Sequence, residues 1–201
     1  MIKGVSTVIL AGGRSRRFHG RDKARITLAG RPLIRHAVDA WQGRVAEVLI
    51  SARDGADYTD LGLPVILDTF PSSEGPLAGI VRALEHAACP YIMTVPCDAP
   101  GLDAEICPPL LRALRRSGAD VAVAHDGGRI QPLIALYRRD SSESLQRYLA
   151  TGRRSVQAWH GELRHVIVRV SKGMKPFANI NTREDLAAAE AGIQIAPRVP
   201  A

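Results

Sequence analysis

The sequence predicts a three-layer α/β/α protein on a mostly parallel central sheet. Short β-branched runs alternate with helical patterns almost from end to end, the signature of strands joined by crossover helices. Glycine, serine and aspartate recur where those runs stop, at the carboxyl ends at which open parallel sheets bind ligands. With 201 residues, 46% apolar and 23% charged, the chain has ordinary globular composition and enough length for a sizeable core.

Expected strands are Ser6–Leu10, Glu47–Ala52, Pro64–Leu67, Tyr91–Val95, Val121–His125, Pro132–Tyr137 and His165–Val170. Expected helices are Pro32–Trp41, Pro76–Ala88, Ala104–Ser117, Glu143–Thr151 and Arg183–Ala191. Pro32 and Pro76 suit the first turn of a helix, where a missing N–H costs nothing. Asp103 and Thr182 read as N-caps, and Thr182 with Asp185 has capping-box spacing. The pattern implies one domain over residues 1–191 and a proline-rich tail over 192–201.

The formal charge of +7 points to anionic partners, and much of it is local: Arg14, Arg16, Arg17, Arg21, Lys23, Arg25 and Arg31 fall in one segment. Aromatic residues are only 4% of the chain, too few for stacking platforms on single-stranded nucleic acid. Cys89, Cys97 and Cys107 lack C-x-x-C spacing and read as reduced thiols. Neither a signal-peptide plan nor a bilayer-length apolar run is visible, so the chain is expected in the cytoplasm without membrane association. The six histidines show no zinc-ligand spacing and are expected mostly at the surface.

The most informative stretch is Thr7-Val8-Ile9-Leu10-Ala11-Gly12-Gly13, an apolar strand stopped by two glycines and followed at once by the cation cluster. Glycines let backbone N–H groups approach an anion closely, and cations beyond them neutralise it. The spacing is neither that of the P-loop nor that of the dinucleotide fingerprint, because Lys23 lies ten residues past Gly13. A tight turn beside a solvated basic face explains the glycines alone, but the clustered cations favour polyphosphate. Arg17 and Lys23 are then the charges that stabilise a pyrophosphate leaving group.

Asp98 ends the fourth strand between Pro96 and Pro100, in a stiff loop that fixes the carboxylate's direction. One rigid carboxylate suits Mg²⁺, which keeps several waters and takes substrate phosphates as its other ligands. A helix cap is the competing role, for which Asp103 is better placed. Asp68 ends the third strand, where it either bonds a base or ribose or caps a turn. Gly75-Pro76-Leu77-Ala78-Gly79 opens a helix whose small residues admit either a ligand or close sheet packing. Asn179 and Asn181 stand two residues apart, on one side of an extended backbone and suited to a polar heterocycle. Read alone, they favour a turn.

In this order, the segments resemble the molybdenum cofactor guanylyltransferase family. The resemblance rests on Leu10-Ala11-Gly12-Gly13 with Arg17 and Asp22-Lys23, Gly30-Arg31-Pro32-Leu33, Asp68, Gly75–Gly79, Pro96-Cys97-Asp98, and Asn179-Ile180-Asn181-Thr182 with Glu184-Asp185-Leu186. Pro132 and Gly152-Arg153-Arg154 also fit, so it covers roughly residues 6 to 190. It implies a Rossmann-like nucleotidyltransferase fold and transfer of GMP from GTP to molybdopterin. It implies that Leu10, Ala11, Gly12, Gly13, Lys23, Ser51, Asp68 and Asp98 bind GTP, and that Asp98 holds Mg²⁺. Gly79, Asn179 and Asn181 would lie toward the molybdopterin. Implied partners are molybdenum-insertion proteins and molybdoenzyme chaperones, with no nucleic acid. The chain departs from the family pattern at Phe18-His19-Gly20 in place of Met-Gly-Gly, at Ser51 in place of asparagine, and at Gln131 in place of histidine.

The rivals are a cytidylyltransferase for the same pterin, a sugar-1-phosphate nucleotidyltransferase, and a nucleic-acid module using the Arg14–Arg31 patch. Ala-Gly-Gly argues against the first and chain length against the second. The third predicts steep salt dependence.

Overall fold

The computed structural model describes residues 1–12, 22–53, 58–68, 75–170 and 179–195. In chain order its strands and helices are β1 (Ile2–Leu10), β2 (Thr27–Leu28), β3 (Arg31–Pro32), α1 (Leu33–Trp41), β4 (Val45–Arg53), β5 (Val65–Asp68), α2 (Pro76–His86), β6 (Tyr91–Pro96), α3 (Cys107–Ser117), β7 (Val121–His125), β8 (Ile130–Arg138), α4 (Ser142–Ala150), α5 (Val156–Glu162), β9 (His165–Arg169) and α6 (Arg183–Ile195).

Seven strands form one sheet in the order β5-β4-β1-β6-β8-β7-β9, and every expected strand is in it. β1 lies between β4 and β6, parallel to both. Only β8 runs antiparallel to its neighbours. Its direction follows from a tight link: β7 and β8 form a hairpin closed by Asp126, whose Oδ1 accepts from the backbone N–H groups of Gly128 and Arg129, both at 2.7 Å. These bonds, with one from Gln131 Nε2, hold the Asp126 carboxyl down at about 2.

Side-chain alternation along β1 assigns its residues to two separate cores. Val5 and Ile9 pack with Ile34, Val38 and Trp41 of α1 and Leu110 and Leu114 of α3. Val8 packs on the other face with Leu77, Ile80 and Leu84 of α2, Leu145 and Leu149 of α4, and Trp159 of α5. A third, small cluster joins Leu28 and Leu33 to Ile180, with Leu186 of α6 against it. The sandwich of helices about a sheet is therefore the expected three-layer architecture.

Capping matches the sequence in most places. Asp103 accepts from the Glu105 N–H at 2.8 Å, and Pro76 sits in the first turn of α2. Thr182 and Asp185 form the reciprocal box: Asp185 N–H donates to Thr182 Oγ1 at 3.1 Å and Thr182 N–H to Asp185 Oδ2 at 2.8 Å. Four details differ. Pro32 precedes α1 in extended backbone (φ −57, ψ 143) rather than occupying its first turn, because it pairs with Thr27 in the β2–β3 hairpin. α6 continues to Ile195, into the segment expected as tail. α5 was not expected, although Ser155 caps it and Val156, Trp159 and His160 bury one face. His160 is buried, contrary to a surface role, and shares a 2.7 Å hydrogen bond with Tyr137 Oη while Trp159 stacks on the Tyr137 ring.

Burial, helped by the charge of His165, holds His160 down at about 4 against an ordinary 6.5. The unfolded chain binds that proton below 6.5 and the folded chain only below about 4. Stability is therefore full above 6.5 and is lost as pH falls through this window. Denaturant melts across the window should show the wild type losing about 3 kcal/mol relative to His160→Gln.

Candidate nucleotide site

At the carboxyl ends of the three central strands, Leu10 is in register with Ser51 on one side and Pro96 on the other. The chain leaves β1 still tethered to both neighbours: Ala11 N–H donates to Ser51 O at 2.8 Å, and Cys97 N–H donates to Leu10 O at 3.3 Å. Gly12 thus follows a fixed point, with the Arg53 side chain lying 3.6 Å from where a Cβ would stand. Gly13, Arg17 and the Phe18-His19-Gly20 departure lie outside the described residues.

Lys23 opens a short 3₁₀ turn capped by Asp22, whose Oδ1 accepts from Ala24 N–H at 3.0 Å. Its ammonium ion-pairs with Asp98 Oδ2 and donates to Asn181 Oδ1 at 2.8 Å. The two charged side chains are 13% and 15% exposed, so this is a nearly desolvated pair. Asp98 also anchors the segment beyond it, since its carbonyl accepts from Ile180 N–H at 2.9 Å. That bond sets the extended alternation: Ile180 turns into the third core while Asn179 and Asn181 both turn to the cavity. A shared face for the amides is what their spacing predicts; the turn favoured by the isolated sequence is not what the local packing selects.

The resulting cavity has a volume of about 460 Å³. Of the expected residues, Leu10, Gly12, Lys23, Ser51, Gly79, Asp98, Asn179 and Asn181 line it. Ala11 does not, being buried with its amide spent on Ser51. Asp68 ends β5 opposite Arg53, and its side chain lies outside what is described. Arg53 and Leu133 line the cavity without having been expected. The signal for Arg53 was available, because two positions past Ser51 on a strand returns to the same face. Cys97 also reaches the cavity; burial, then the adjacent Asp98 charge, push its thiol up, so it stays protonated.

Two oxygens here are buried without a hydrogen-bond partner among the described atoms, Asp98 Oδ1 and Asn179 Oδ1. A hard carboxylate oxygen held in a cavity fits a small divalent cation. Among the described residues no cluster of three metal-ligating side chains exists, so Asp98 is the protein's candidate ligand and phosphates and water would complete the shell.

A glycine at the end of the central strand, a lysine and aspartate meeting at the carboxyl ends of a parallel sheet, and two amides beside that pair define a protein of the nucleotidyltransferase class. Residues 7–166 match the MobA-like NTP transferase domain. Molybdenum cofactor guanylyltransferase of Shewanella putrefaciens is 36% identical over 182 residues, 90% of this chain and 93% of that protein. The namesake from Shewanella sediminis is 36% identical over 181 residues, 90% and 92% of the two. Among solved structures, molybdopterin-guanine dinucleotide biosynthesis protein A of Archaeoglobus fulgidus superposes with a TM-score of 0.80 at 25% identity, covering 94% of this chain and 98% of that one. The 4-diphosphocytidyl-2C-methyl-D-erythritol synthase of Anaerococcus prevotii, at 15% identity, shares the fold with a TM-score of 0.73 over 96% and 99%. The chain belongs to the MobA-like NTP transferase family.

Gly79 explains part of the site's composition. A Cβ there would stand 2.6 Å from Ser51 Oγ and 3.2 Å from Leu10 Cδ2, both lining residues. Gly79→Ala should destabilise the protein by about 1–3 kcal/mol in denaturant melts. Adding Ser51→Ala should recover part of that loss, since the tightest contact is then gone.

Proposed function

We propose that the chain is a molybdenum cofactor guanylyltransferase, transferring GMP from GTP to molybdenum-loaded molybdopterin with release of pyrophosphate. The observation that carries the reading is the convergence of Lys23, Asp98 and Asn181, from three distant parts of the chain, on one cavity at the ends of β1, β4 and β6. The names and coverage of the relatives support the same chemistry.

GTP lies with its triphosphate over the glycine turn and its base toward Leu10, Ser51, Gly79 and Asp68. The pterin approaches from Asn179 and Asn181, whose amides donate to and accept from its ring edges. An oxygen of the molybdopterin phosphate attacks the α-phosphorus, a new P–O–P link forms, and the bond to the β-phosphate breaks with its electron pair leaving on pyrophosphate. A phosphate monoester is largely dianionic at neutral pH, so the nucleophile needs no general base. Lys23 turns its charge from Asp98 to the phosphates, and Arg17 adds a second cation toward the leaving group. Asp98 is the residue to hold Mg²⁺, which when bound supplies charge neutralisation across the phosphate oxygens. Molybdenum-insertion proteins and molybdoenzyme chaperones are natural transient partners for such an enzyme, and its place of action is the cytoplasm. The described residues contain no helix long and apolar enough to cross a membrane.

Asp98→Asn keeps the side chain's shape but removes the charge that Lys23 and a divalent cation both require. It should lower kcat for GMP transfer by at least about 100-fold, and because it strands the Lys23 ammonium it should also lower the melting temperature by roughly 10 °C, so kcat is read well below the variant's transition. Transfer persisting at the wild-type rate in this variant would overturn the assignment of Asp98.

A further inference from the structure

Tyr58 lies outside the cavity, yet its side chain is 1% exposed and its hydroxyl donates to Asp22 Oδ2 at 2.6 Å. The other Asp22 oxygen caps the turn that presents Lys23. Arg25, at the end of that same turn, stacks its guanidinium 5.0 Å from the centre of the Tyr58 ring and forms a two-pronged ion pair with Asp60, at 2.6 and 3.0 Å. The segment following β4 is thereby bonded to both ends of the lysine's turn, at its cap Asp22 and at its last residue Arg25. Desolvation and the Asp22 charge both push the Tyr58 hydroxyl well above the ordinary phenol range, so it remains a donor throughout the physiological window.

We propose that Tyr58 is a positioning residue that acts through Asp22 to hold the Lys23 ammonium at the cavity. The assignment rests on the nucleotidyltransferase reading for its catalytic consequence, and on the geometry alone for its structural one. Asp22 has two oxygens and two tasks. Without the phenol, Asp22 Oδ2 loses the side-chain donor that fixes the carboxylate's rotation, and this exposed side chain can turn to water and away from the Ala24 N–H that it caps. A loosened cap frees the turn that presents Lys23, and its ammonium then spends less time on Asp98 and Asn181. Packing is not the issue, because phenylalanine fills the same volume and keeps the Arg25 stack.

Two readouts test it. The first needs no substrate: limited acetylation of the folded protein, with Lys23 modification read by mass spectrometry against exposed Lys3. Tyr58→Phe should raise the Lys23-to-Lys3 ratio at least about threefold, as the ammonium leaves its two partners. The second is a double-mutant cycle on kcat. Tyr58→Phe should lower kcat about tenfold in the wild type and have no further effect in Lys23→Ala, as expected of a residue that works only through the lysine. An unchanged labelling ratio, or an equal loss of kcat in both backgrounds, would overturn the proposal. If the wild type transfers no GMP, the guanylyltransferase reading fails and the labelling ratio still decides Tyr58. Should Tyr58→Phe not fold, Asp22→Asn weakens the same bond from its acceptor side and should raise the same ratio.

Discussion

Lys23 ties together, through its side chain, three parts of the chain that are far apart in sequence. Its ammonium reaches Asp98 from the end of β6 and Asn181 from the segment before α6, while its own turn is held by Asp22. Both members of the ion pair are largely withdrawn from water, so removing either leaves a charge without compensation, a change that costs about 3–5 kcal/mol in comparable buried pairs. An arrangement so costly to leave half-made defines one geometry. The second Asp98 oxygen is buried and without a hydrogen-bond partner among the described residues, and it is the position proposed above for a divalent cation.

The sheet supplies the fixed frame. β1 is central, flanked by parallel strands in register with it, so Leu10, Ser51 and Pro96 arrive at the same level. Two apolar cores clamp the sheet from both sides and leave its carboxyl edge for polar groups. The one antiparallel strand, β8, enters beside β6 and brings Leu133 to the cavity wall without disturbing the central trio. Gly75 shapes the opposite rim, its φ of +62° turning the chain into α2 so that Pro76 and Gly79 face the ligand space.

The central frame was legible because each of its strands is a short apolar run with an abrupt stop. The helices that carry long amphipathic stripes were equally plain. α5 escaped because it is only seven residues long and contains Gly161, so its i, i+3, i+4 burial barely fills two turns. A proline before an apolar stripe has two solutions, first helical turn or extended lead-in, and the pairing of Thr27 with Pro32 decides between them only in three dimensions. At the site, Asp98 and Lys23 were visible as residue types in context. The orientation of Asn179 and Asn181 was not, because it depends on a backbone bond from Ile180 to Asp98 across most of a hundred residues. Arg53 and Tyr58 belong to the same class: their roles come from what the fold places beside them, Gly12 in one case and Asp22 in the other.

The reaction proposed for this cavity joins GMP to a pterin phosphate. Purified chain incubated with Mg²⁺, molybdopterin and either GTP or CTP, with products separated and weighed by mass spectrometry, addresses it directly. The expected products are a guanine dinucleotide of the pterin and one pyrophosphate per dinucleotide formed, with little cytosine counterpart. A cytosine dinucleotide in preference, or no dinucleotide from either nucleotide, would contradict it.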